Sequence, residues 1–185
     1  MQNKKLGLLD RKKTVFIMVD VQEKFLPVIR GIEKVISNSN ILIKAAEILG
    51  MPLIVTEQYP KGLGKTLQKI QLPKNSNVIE KVHFSCFGSE EFKKELERLK
   101  VKSIILFGIE AHVCILNTAL DALKSGYEVH VVADAVSSRT PENKSLAIER
   151  MRQSGAFICS TEMVLFQMME KAGTDEFRQI SGLVK

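Results

Sequence analysis

The sequence predicts an α/β protein, a three-layer α/β/α sandwich around a six-stranded, mostly parallel sheet. Two observations predict this fold class. Strand-like runs alternate with helix-like stretches along the chain, and most of these runs are almost continuously apolar, as strands covered by helices on both faces are. At 185 residues, the chain is long enough for one full hydrophobic core and short for two. We therefore expect residues 1–185 to form a single domain.

The first part of the chain contains three predicted strands. Residues 14–19 are a near-continuous apolar run and predict the first strand. The next helix carries apolar residues at helical spacing, namely Ile32, Val35, Ile36 and Ile43. Gly50 and Pro52 follow that stripe and predict the end of the helix. Residues 53–55 predict the second strand, and the more mixed residues 78–82 predict the third.

A second helix and the fourth strand follow. Ser89 is a suitable N-cap for a helix whose apolar stripe is Phe92, Leu96 and Leu99. Residues 103–107 predict the fourth strand. The helix after it has an apolar stripe made of Val113, Leu116, Leu120 and Leu123, and Gly126 ends it.

The last part of the chain keeps the same alternation. Residues 129–132 predict the fifth strand, and Thr140 with Pro141 predicts the start of another helix, as its N-cap and first-turn residues. Residues 156–159 predict a short sixth strand, and two helical segments finish the chain.

Composition and charge argue against several classes of protein. The net charge of +6 is dispersed and not clustered, so we expect no nucleic-acid partner. No apolar run approaches the roughly 20 residues of a membrane span, and residues 1–5 are not followed by the apolar stretch of a signal peptide. The three cysteines have no paired spacing, which suits a reducing compartment. We therefore expect a cytoplasmic protein that binds a small molecule and no membrane.

Three chemically capable residues lie near the ends of predicted strands, where parallel α/β sheets bind ligands. Asp20 follows the first strand, Lys81 lies in the third, and Cys114 lies in the first turn of the helix after the fourth. Each has an ordinary alternative: Asp20 caps a loop, Lys81 extends to the surface, or Cys114 fills the core. Together they supply the base, cation and nucleophile of thiol catalysis. If Cys114 is activated, its thiol pKa should lie below those of Cys86 and Cys159.

Six segments of the chain resemble one family of enzymes. They are residues 20–25 (Asp-Val-Gln-Glu-Lys-Phe), 56–64 (Thr-Glu-Gln-Tyr-Pro-Lys-Gly-Leu-Gly), 81–87 (Lys-Val-His-Phe-Ser-Cys-Phe), 108–119 (Gly-Ile-Glu-Ala-His-Val-Cys-Ile-Leu-Asn-Thr-Ala), 129–139 (Val-His-Val-Val-Ala-Asp-Ala-Val-Ser-Ser-Arg) and 161–167 (Thr-Glu-Met-Val-Leu-Phe-Gln). In this order they resemble the isochorismatase-like cysteine hydrolases. Residues 56–64 in particular resemble the isochorismatase-domain-containing branch.

The resemblance implies an enzyme with Asp20, Lys81 and Cys114 as its catalytic triad. It also implies a cis peptide bond between Ile109 and Glu110, with backbone N–H groups that form an oxyanion hole together with that of Cys114. In the implied mechanism, Asp20 takes the thiol proton, Lys81 holds the charges and Cys114 attacks a carbonyl or C≡N carbon. Water then releases the acyl group from a thioester, and no cofactor takes part. The substrate would be a small amide or a related C–N compound.

Departures from the family pattern narrow the expected chemistry. Nicotinamidases of this superfamily carry an Asp-x-His metal motif after the second strand, whereas residues 57–60 read Glu-Gln-Tyr-Pro, so we expect no metal site. Family members that hydrolyse isochorismate lack the cysteine, so Cys114 favours amide-type chemistry. The residues that we expect to line the substrate pocket are Gln22, Phe25, Tyr59, Phe84, Phe87 and His112.

Alternatives to this enzyme remain open. The chain could be a non-catalytic oligomeric scaffold that keeps the fold. Residues 62–66 imitate the end of a phosphate-binding loop, although Tyr59 stands where its first glycine would be. A thiol redox protein would normally have a Cys-x-x-Cys pair, and a Cys–His pair would need His112 to lie on the same side of its helix as Cys114.

The sequence also leads us to expect a homo-oligomer that associates through helical faces. Methionines pack adaptably and suit an interface as well as a core. Four of them lie in the second half of the chain, namely Met151, Met163, Met168 and Met169.

Overall fold

A computed structural model of the protein describes residues 6–169 and 171–184. We expected residues 1–5 not to begin a signal peptide, and these residues lie outside the described ones. The six strands are β1 (Thr14–Val19), β2 (Leu53–Gln58), β3 (Asn77–Lys81), β4 (Ser103–Ile109), β5 (Glu128–Ser137) and β6 (Phe157–Cys159). The α-helices are α1 (Ile32–Ile48), α2 (Pro60–Leu63), α3 (Glu90–Leu99), α4 (Leu116–Lys124), α5 (Pro141–Gln153), α6 (Thr161–Met169) and α7 (Asp175–Ser181).

The strands form one sheet in the order β3-β2-β1-β4-β5-β6, and every neighbouring pair is parallel. The chain builds outwards from β1 to β3 on one side and from β4 to β6 on the other. The direction of winding therefore reverses between β1 and β4, which makes the carboxyl ends of these two strands the switch point where such sheets bind ligands.

Helices cover both faces of the sheet, which confirms the predicted three-layer α/β/α fold. Alternate residues of β1 belong to opposite apolar clusters, because successive side chains of a strand point to opposite faces. Phe16 and Met18 pack in the cluster that contains residues of α1, α6 and α7. Val15 and Ile17 pack in the cluster that contains residues of α3, α4 and α5. All four are fully buried, as the continuous apolar run of this strand predicted.

The predicted helix starts agree with the structure. The Ser89 hydroxyl accepts a hydrogen bond from the Phe92 N–H at the start of α3, and the Thr140 hydroxyl accepts one from the Asn143 N–H at the start of α5. The fifth strand is longer than predicted, because it continues to Ser137 after a register shift against β4. Within the described residues, each helix falls short of the length and apolarity that a bilayer crossing demands.

The apolar stripe predicted for α4 is not its most buried face. The stripe residues Val113, Leu116, Leu120 and Leu123 are only half-buried, whereas Thr118, Ala119 and Ala122 are buried. Small side chains let a helix lie close to the sheet, so α4 turns these residues inward and keeps its larger apolar groups at the flank.

The four methionines considered for an interface mostly fill the core. Met151 and Met168 are fully buried, Met169 is 6% exposed, and Met163 on α6 is 59% exposed. Their packing is therefore mainly internal, and Met163 is the member of the set that faces outward.

Candidate active site

The structure brings Asp20, Lys81 and Cys114 together at the carboxyl edge of the sheet. Asp20 directly follows β1, and Lys81 is the last residue of β3. Cys114 lies in a five-residue π-helical turn, Ala111–Ile115, between β4 and α4. The chain therefore places Asp20 and Cys114 on either side of the switch point, and Lys81 reaches them from the edge of the sheet.

The Asp20 carboxylate and the Lys81 ammonium form a closed ion pair. Lys81 Nζ lies 2.7 Å from Asp20 Oδ2, and both side chains are fully shielded from solvent. Lys81 therefore does not extend to the surface, which was the ordinary alternative for this residue. A buried ion pair of this kind is costly to desolvate and needs further hydrogen bonds.

Two side chains of β2 supply those hydrogen bonds. The Thr56 hydroxyl donates to Asp20 Oδ1 over 2.7 Å. Lys81 Nζ donates to Gln58 Oε1 over 2.7 Å, and it also lies 3.3 Å and 3.4 Å from the carbonyl oxygens of His83 and Phe84. Thr56 and Gln58 belong to the motif of residues 56–64, but the sequence alone indicated no role for them. The signal that could have found them is two polar residues at alternate positions of a buried strand.

The Cys114 thiol completes the cluster. It lies beside the Asp20 carboxylate, whose charge acts on it, and the residue is 5% exposed. The sulfur of Cys86 lies 4.0 Å from the Thr56 hydroxyl. Cys86, Cys114 and Cys159 are all free thiols.

The proton affinities of the cluster differ from the sequence-based expectation. Burial, and after it the negative charge of Asp20, raises the pKa of the Cys114 thiol, and Lys81 only partly opposes them. Burial raises the pKa of Cys86 to about 11 and that of Cys159 to about 12. The expectation that Cys114 has the lowest thiol pKa is therefore wrong, because its partner at rest is a carboxylate as well as an ammonium. Cys114 carries its proton at neutral pH.

Lys81 is a cation at neutral pH. Burial lowers the pKa of its ammonium, but the charge of Asp20, joined by Cys86 and Cys114 once these ionise at high pH, outweighs burial and raises the pKa above its ordinary value. The resting cluster therefore combines a protonated thiol with a fixed positive charge.

The backbone before Cys114 follows a constrained path. Gly108 has a φ of 113°, and a Cβ there would lie 2.2 Å from the carbonyl oxygen of Val19 on the neighbouring strand. The peptide bond between Ile109 and Glu110 is cis. The Glu110 carbonyl accepts hydrogen bonds from the N–H groups of Val113 and Ile115, which closes the turn that carries Cys114.

Charged and polar residues flank this turn on the β5 side. The buried Glu110 carboxylate accepts a hydrogen bond of 2.9 Å from Arg139 Nε. His112 Nδ1 lies 3.0 Å from the Ser138 hydroxyl, so the imidazole is held towards β5. No site role was expected for Ser138 or Arg139 from the sequence.

The residues expected to line a substrate pocket do not form one group. Tyr59 and Phe84 are 54% and 61% exposed, so they are free to contact a ligand. Gln22 is fully buried, and its side chain bonds to the backbone of Gln58 and Gly64. It therefore holds the loop after β2 and has no amide group to offer a substrate.

The two other expected phenylalanines face the protein interior. Phe25 packs against the apolar cluster beneath α1. Phe87 packs on Phe92 and Tyr127, with ring centroids 5.3 Å and 6.0 Å away. Tyr127 precedes β5 and so lies at the amino ends of the strands, whereas Asp20, Lys81 and Cys114 lie at the carboxyl ends. Phe87 therefore points away from these three residues.

A cleft of about 410 Å³ opens beside the edge strand β3. Its walls include Tyr59, Lys81, Val82 and His83, but Cys114 is not one of its lining residues. The cleft therefore lies beside the Asp20–Lys81 pair and does not include the thiol.

The segment of residues 62–66, which imitates the end of a phosphate-binding loop, binds a side chain of the protein itself. The N–H and hydroxyl of Thr66 both donate to Glu57 Oε1, and Lys65 Nζ lies 3.2 Å from Glu57 Oε2. The loop that imitates a phosphate-binding sequence is thus occupied by an internal carboxylate. Among residues 6–169 and 171–184, no three histidine, cysteine or acidic side chains are grouped so that they could hold a metal ion.

Comparison with known proteins identifies relatives over almost the whole chain. The isochorismatase domain model matches residues 14–163. Isochorismatase domain-containing protein 1 of Danio rerio is 41% identical over 97% of this chain, and this chain spans 64% of that relative, less than two thirds of its length. The secreted isochorismatase effector Isc1 of Phytophthora sojae is 42% identical over 98% of this chain and 89% of its own length.

A solved structure shares both fold and sequence with this chain. The structure described as MAR1 ribonuclease from Caenorhabditis elegans has a TM-score of 0.90 and 38% sequence identity. The match covers 95% of this chain and 91% of that one.

Proposed function

This chain belongs to the isochorismatase family, and from that premise we propose that it hydrolyses a small amide or a related C–N bond with the Cys114 thiol as nucleophile. The family has a hydrolase fold, and the chemistry assigned here to single residues is our inference. The observation that carries it is a buried thiol that lies beside a carboxylate, which is itself paired to a buried ammonium.

In the proposed first half-reaction, Asp20 takes the thiol proton as Cys114 Sγ attacks the substrate carbonyl carbon. The developing oxyanion accepts hydrogen bonds from backbone N–H groups at Glu110 and Cys114. The tetrahedral intermediate then collapses. The C–N bond breaks, the nitrogen leaves with the proton from Asp20, and the acyl group stays on Cys114 as a thioester.

In the second half-reaction, Asp20 takes a proton from a water molecule that attacks the thioester carbonyl. The C–S bond breaks, the carboxylic acid leaves, and the proton returns to Cys114. The sum is one amide and one water converted to one acid and one amine. No step in this sequence calls for a metal or a cofactor, and we propose that the enzyme uses neither.

The electrostatic role of Lys81 follows from its contacts. An ammonium has three N–H donors, and Lys81 meets Asp20, Gln58 and two adjacent carbonyls. We infer that Lys81 keeps Asp20 ionised and stabilises negative charge on the sulfur, and that it does not donate a hydrogen bond to the substrate.

A screen of purified protein against small amides, with ammonia release as the readout, tests the proposal. Turnover should disappear in Cys114→Ala, and rapid quenching of the wild-type protein should trap an acyl adduct on the Cys114 peptide. The screen should include isochorismate, because hydrolysis of a vinyl ether needs no thiol nucleophile. Hydrolysis of isochorismate that persists in Cys114→Ala would contradict the amide proposal.

Metal dependence can be tested on the same preparation. We expect turnover to survive treatment with a chelator, and metal analysis of the active protein to find no stoichiometric metal. Zinc or iron that is lost together with activity would contradict this expectation.

Ribonuclease activity is a second candidate, because the Caenorhabditis elegans neighbour carries that name and this chain has a net charge of +6. The contacts of the cluster favour the amide reaction, since Lys81 is fully shielded and its N–H groups already meet protein acceptors. We therefore propose a small-molecule substrate and no nucleic-acid partner. Cleavage of a labelled RNA oligonucleotide that is lost in Cys114→Ala would favour the second candidate.

A non-catalytic scaffold is the remaining alternative. It would have no use for a buried ion pair next to a thiol, since such a pair is costly unless it has a function. We also propose that residues 1–185 form one domain, that the protein acts in the cytoplasm and that it forms a homo-oligomer. Three buried free thiols suit a reducing compartment.

A further inference from the structure

Strand β2 directs two polar side chains at the Asp20–Lys81 pair. Thr56 is fully buried and Gln58 is 8% exposed. The Thr56 hydroxyl contacts the carboxylate, and the Gln58 carboxamide oxygen contacts the ammonium, each over 2.7 Å. The two residues are two positions apart and point to the same face of the strand, whereas Glu57 between them points to the other face.

The orientation of the Gln58 carboxamide is determined by its own partners. Gln58 Nε2 donates to the carbonyl oxygen of Val82 over 2.8 Å, so the oxygen is the atom that faces Lys81. The opposite orientation would set an NH₂ group against an ammonium and a carbonyl against a carbonyl. The backbone N–H of Gln58 is also held, since it donates to Gln22 Oε1 over 2.7 Å. Both the backbone and the side chain of Gln58 are therefore held by hydrogen bonds.

The direction of the Thr56 hydroxyl is determined in the same way. Its oxygen lies 2.7 Å from Asp20 Oδ1, which as a carboxylate oxygen can only accept. The Cys86 thiol, with its sulfur 4.0 Å from the same oxygen, is a weak donor to it. The hydroxyl therefore gives its proton to the Asp20 bond. A donor of this kind favours the ionised form of a carboxylate.

We propose that Thr56 and Gln58 are positioning residues of the active site, which together keep Asp20 an ionised base and Lys81 a cation with no N–H left for the substrate. This inference rests on the proposed function of the same cluster. Neither residue touches the substrate in this proposal. Both act through the ion pair, so their effect should appear in the pH dependence of the reaction and not only in its rate.

Thr56→Val and Thr56→Ser form the first matched pair of variants. Valine keeps the shape of threonine and removes the donor, whereas serine keeps the donor. We expect Thr56→Val to move the acidic limb of the kcat/KM profile to higher pH by about one unit, because a lost hydrogen bond to a charged group is worth at least that much. The limb of Thr56→Ser should stay with the wild type.

Gln58→Glu and Glu57→Gln form the second pair. Glutamate at position 58 has the shape of glutamine but sets a second carboxylate against Lys81, where it repels the charge of Asp20. We expect the acidic limb to move to higher pH in Gln58→Glu. Glu57→Gln changes a charge in the same strand but on the opposite face, where Glu57 binds Thr66, so it should not move the limb to higher pH.

The same limb should appear in the pH dependence of Cys114 alkylation by iodoacetamide, which needs no substrate. Thermal unfolding of each variant checks that it folds. If Thr56→Val and Gln58→Glu slow turnover but leave the acidic limb in place in both the kcat/KM profile and the alkylation profile, the positioning role is wrong although the proposed function stands. If Cys114→Ala keeps full turnover, the proposed function itself is wrong. A limb that moves in Thr56→Val and Gln58→Glu, but not in Thr56→Ser, supports the proposal.

Discussion

The Cys114 thiol lies beside one neighbour that opposes its ionisation and near another that favours it. Asp20 raises the pKa of the thiol and Lys81 lowers it, while burial raises it further. The proton of the resting site therefore belongs to a coupled pair, thiol and carboxylate, and not to either residue alone. This arrangement suits base-assisted attack better than a standing thiolate.

Removing the charge of Asp20 should separate reactivity from catalysis. In Asp20→Asn, Lys81 remains beside the thiol without a competing carboxylate, so the thiol pKa should fall. We expect iodoacetamide to label Cys114 at pH 7 at least about tenfold faster than in the wild type, since one pKa unit is a tenfold change in thiolate. Turnover should be lost, because the group that accepts and returns the proton is gone. Peptide mapping and the ammonia assay measure the two effects.

Asp134→Asn is a control of the same kind at another thiol. Asp134 contributes to the raised pKa of Cys159, for which burial is the larger cause. This variant should speed the labelling of Cys159 and leave Cys114 unchanged. Slower labelling of Cys114 in Asp20→Asn would show that the carboxylate does not oppose the thiolate.

At the scale of elements, β1 and β4 position the site through close backbone contact. Gly108 of β4 pairs with Val19 of β1. Val19 is the residue before Asp20, and Gly108 lies six residues before Cys114. A side chain at this position would separate the two strands that are followed by Asp20 and Cys114. Gly108 therefore links the packing of the sheet to the geometry of the site.

Gly108→Ala should damage both stability and activity. The added Cβ would lie 2.2 Å from a backbone oxygen that cannot move without shifting β1. We expect the free energy of unfolding to fall by about 3 kcal/mol or more, as measured by urea denaturation, and the rate of Cys114 labelling to change.

Gly126→Ala is a control that adds backbone strain without the steric clash expected in Gly108→Ala. Gly126 has a φ of 87°, so alanine there is strained, but nothing lies within 4 Å of its added Cβ. Its cost should be limited to about 1 kcal/mol, with no effect on Cys114. Equal losses in the two variants would mean that contact with Val19 is unimportant.

At the scale of the whole molecule, His130 links stability to pH. It is 2% exposed on β5, it stacks on Phe157 with ring centroids 5.1 Å apart, and burial lowers its pKa to about 4. Within the part of the chain that the structure describes, its Nε2 has no hydrogen-bond partner. The folded protein therefore holds this imidazole neutral, whereas the unfolded chain protonates it near its ordinary pKa of 6.5.

The sign of the pH effect follows from these two values. Between pH 6.5 and 4 the unfolded chain binds more protons at this residue, so stability is lost as the pH falls through this window. We expect His130 to account for a loss of about 3 kcal/mol by pH 4. Urea denaturation across the window measures it, and the slope should be shallower in His130→Leu. An unchanged slope in that variant would assign the acid sensitivity to other groups.

Self-association is also a property of the whole molecule. Large apolar side chains remain exposed on helices, among them Leu146 on α5 and Met163 and Phe166 on α6. We expect light scattering to give a mass that is a multiple of 20.8 kDa at working concentration. A stable monomer would contradict the proposed homo-oligomer.

The sequence by itself determined the order of the six strands and of the longer helices between them, and it singled out Asp20, Lys81 and Cys114, which the fold brings together. The spacing of apolar residues, the helix caps and the turn residues depend on a few neighbours along the chain, so they can be recognised without a structure. The resemblance of its motifs to a known family also came from the sequence alone, and the family match confirmed it.

Only the tertiary structure decided how these residues act on one another. Gln58 is 23 residues from Lys81, and Thr56 is 36 residues from Asp20, so no local pattern relates them. The face that α4 buries depends on how closely small residues approach the sheet. The proton on Cys114 depends on burial and on a carboxylate far away in sequence. Desolvation and contact between distant residues exist only once the chain has folded, which is why the order of the thiol pKa values could not be predicted from the sequence.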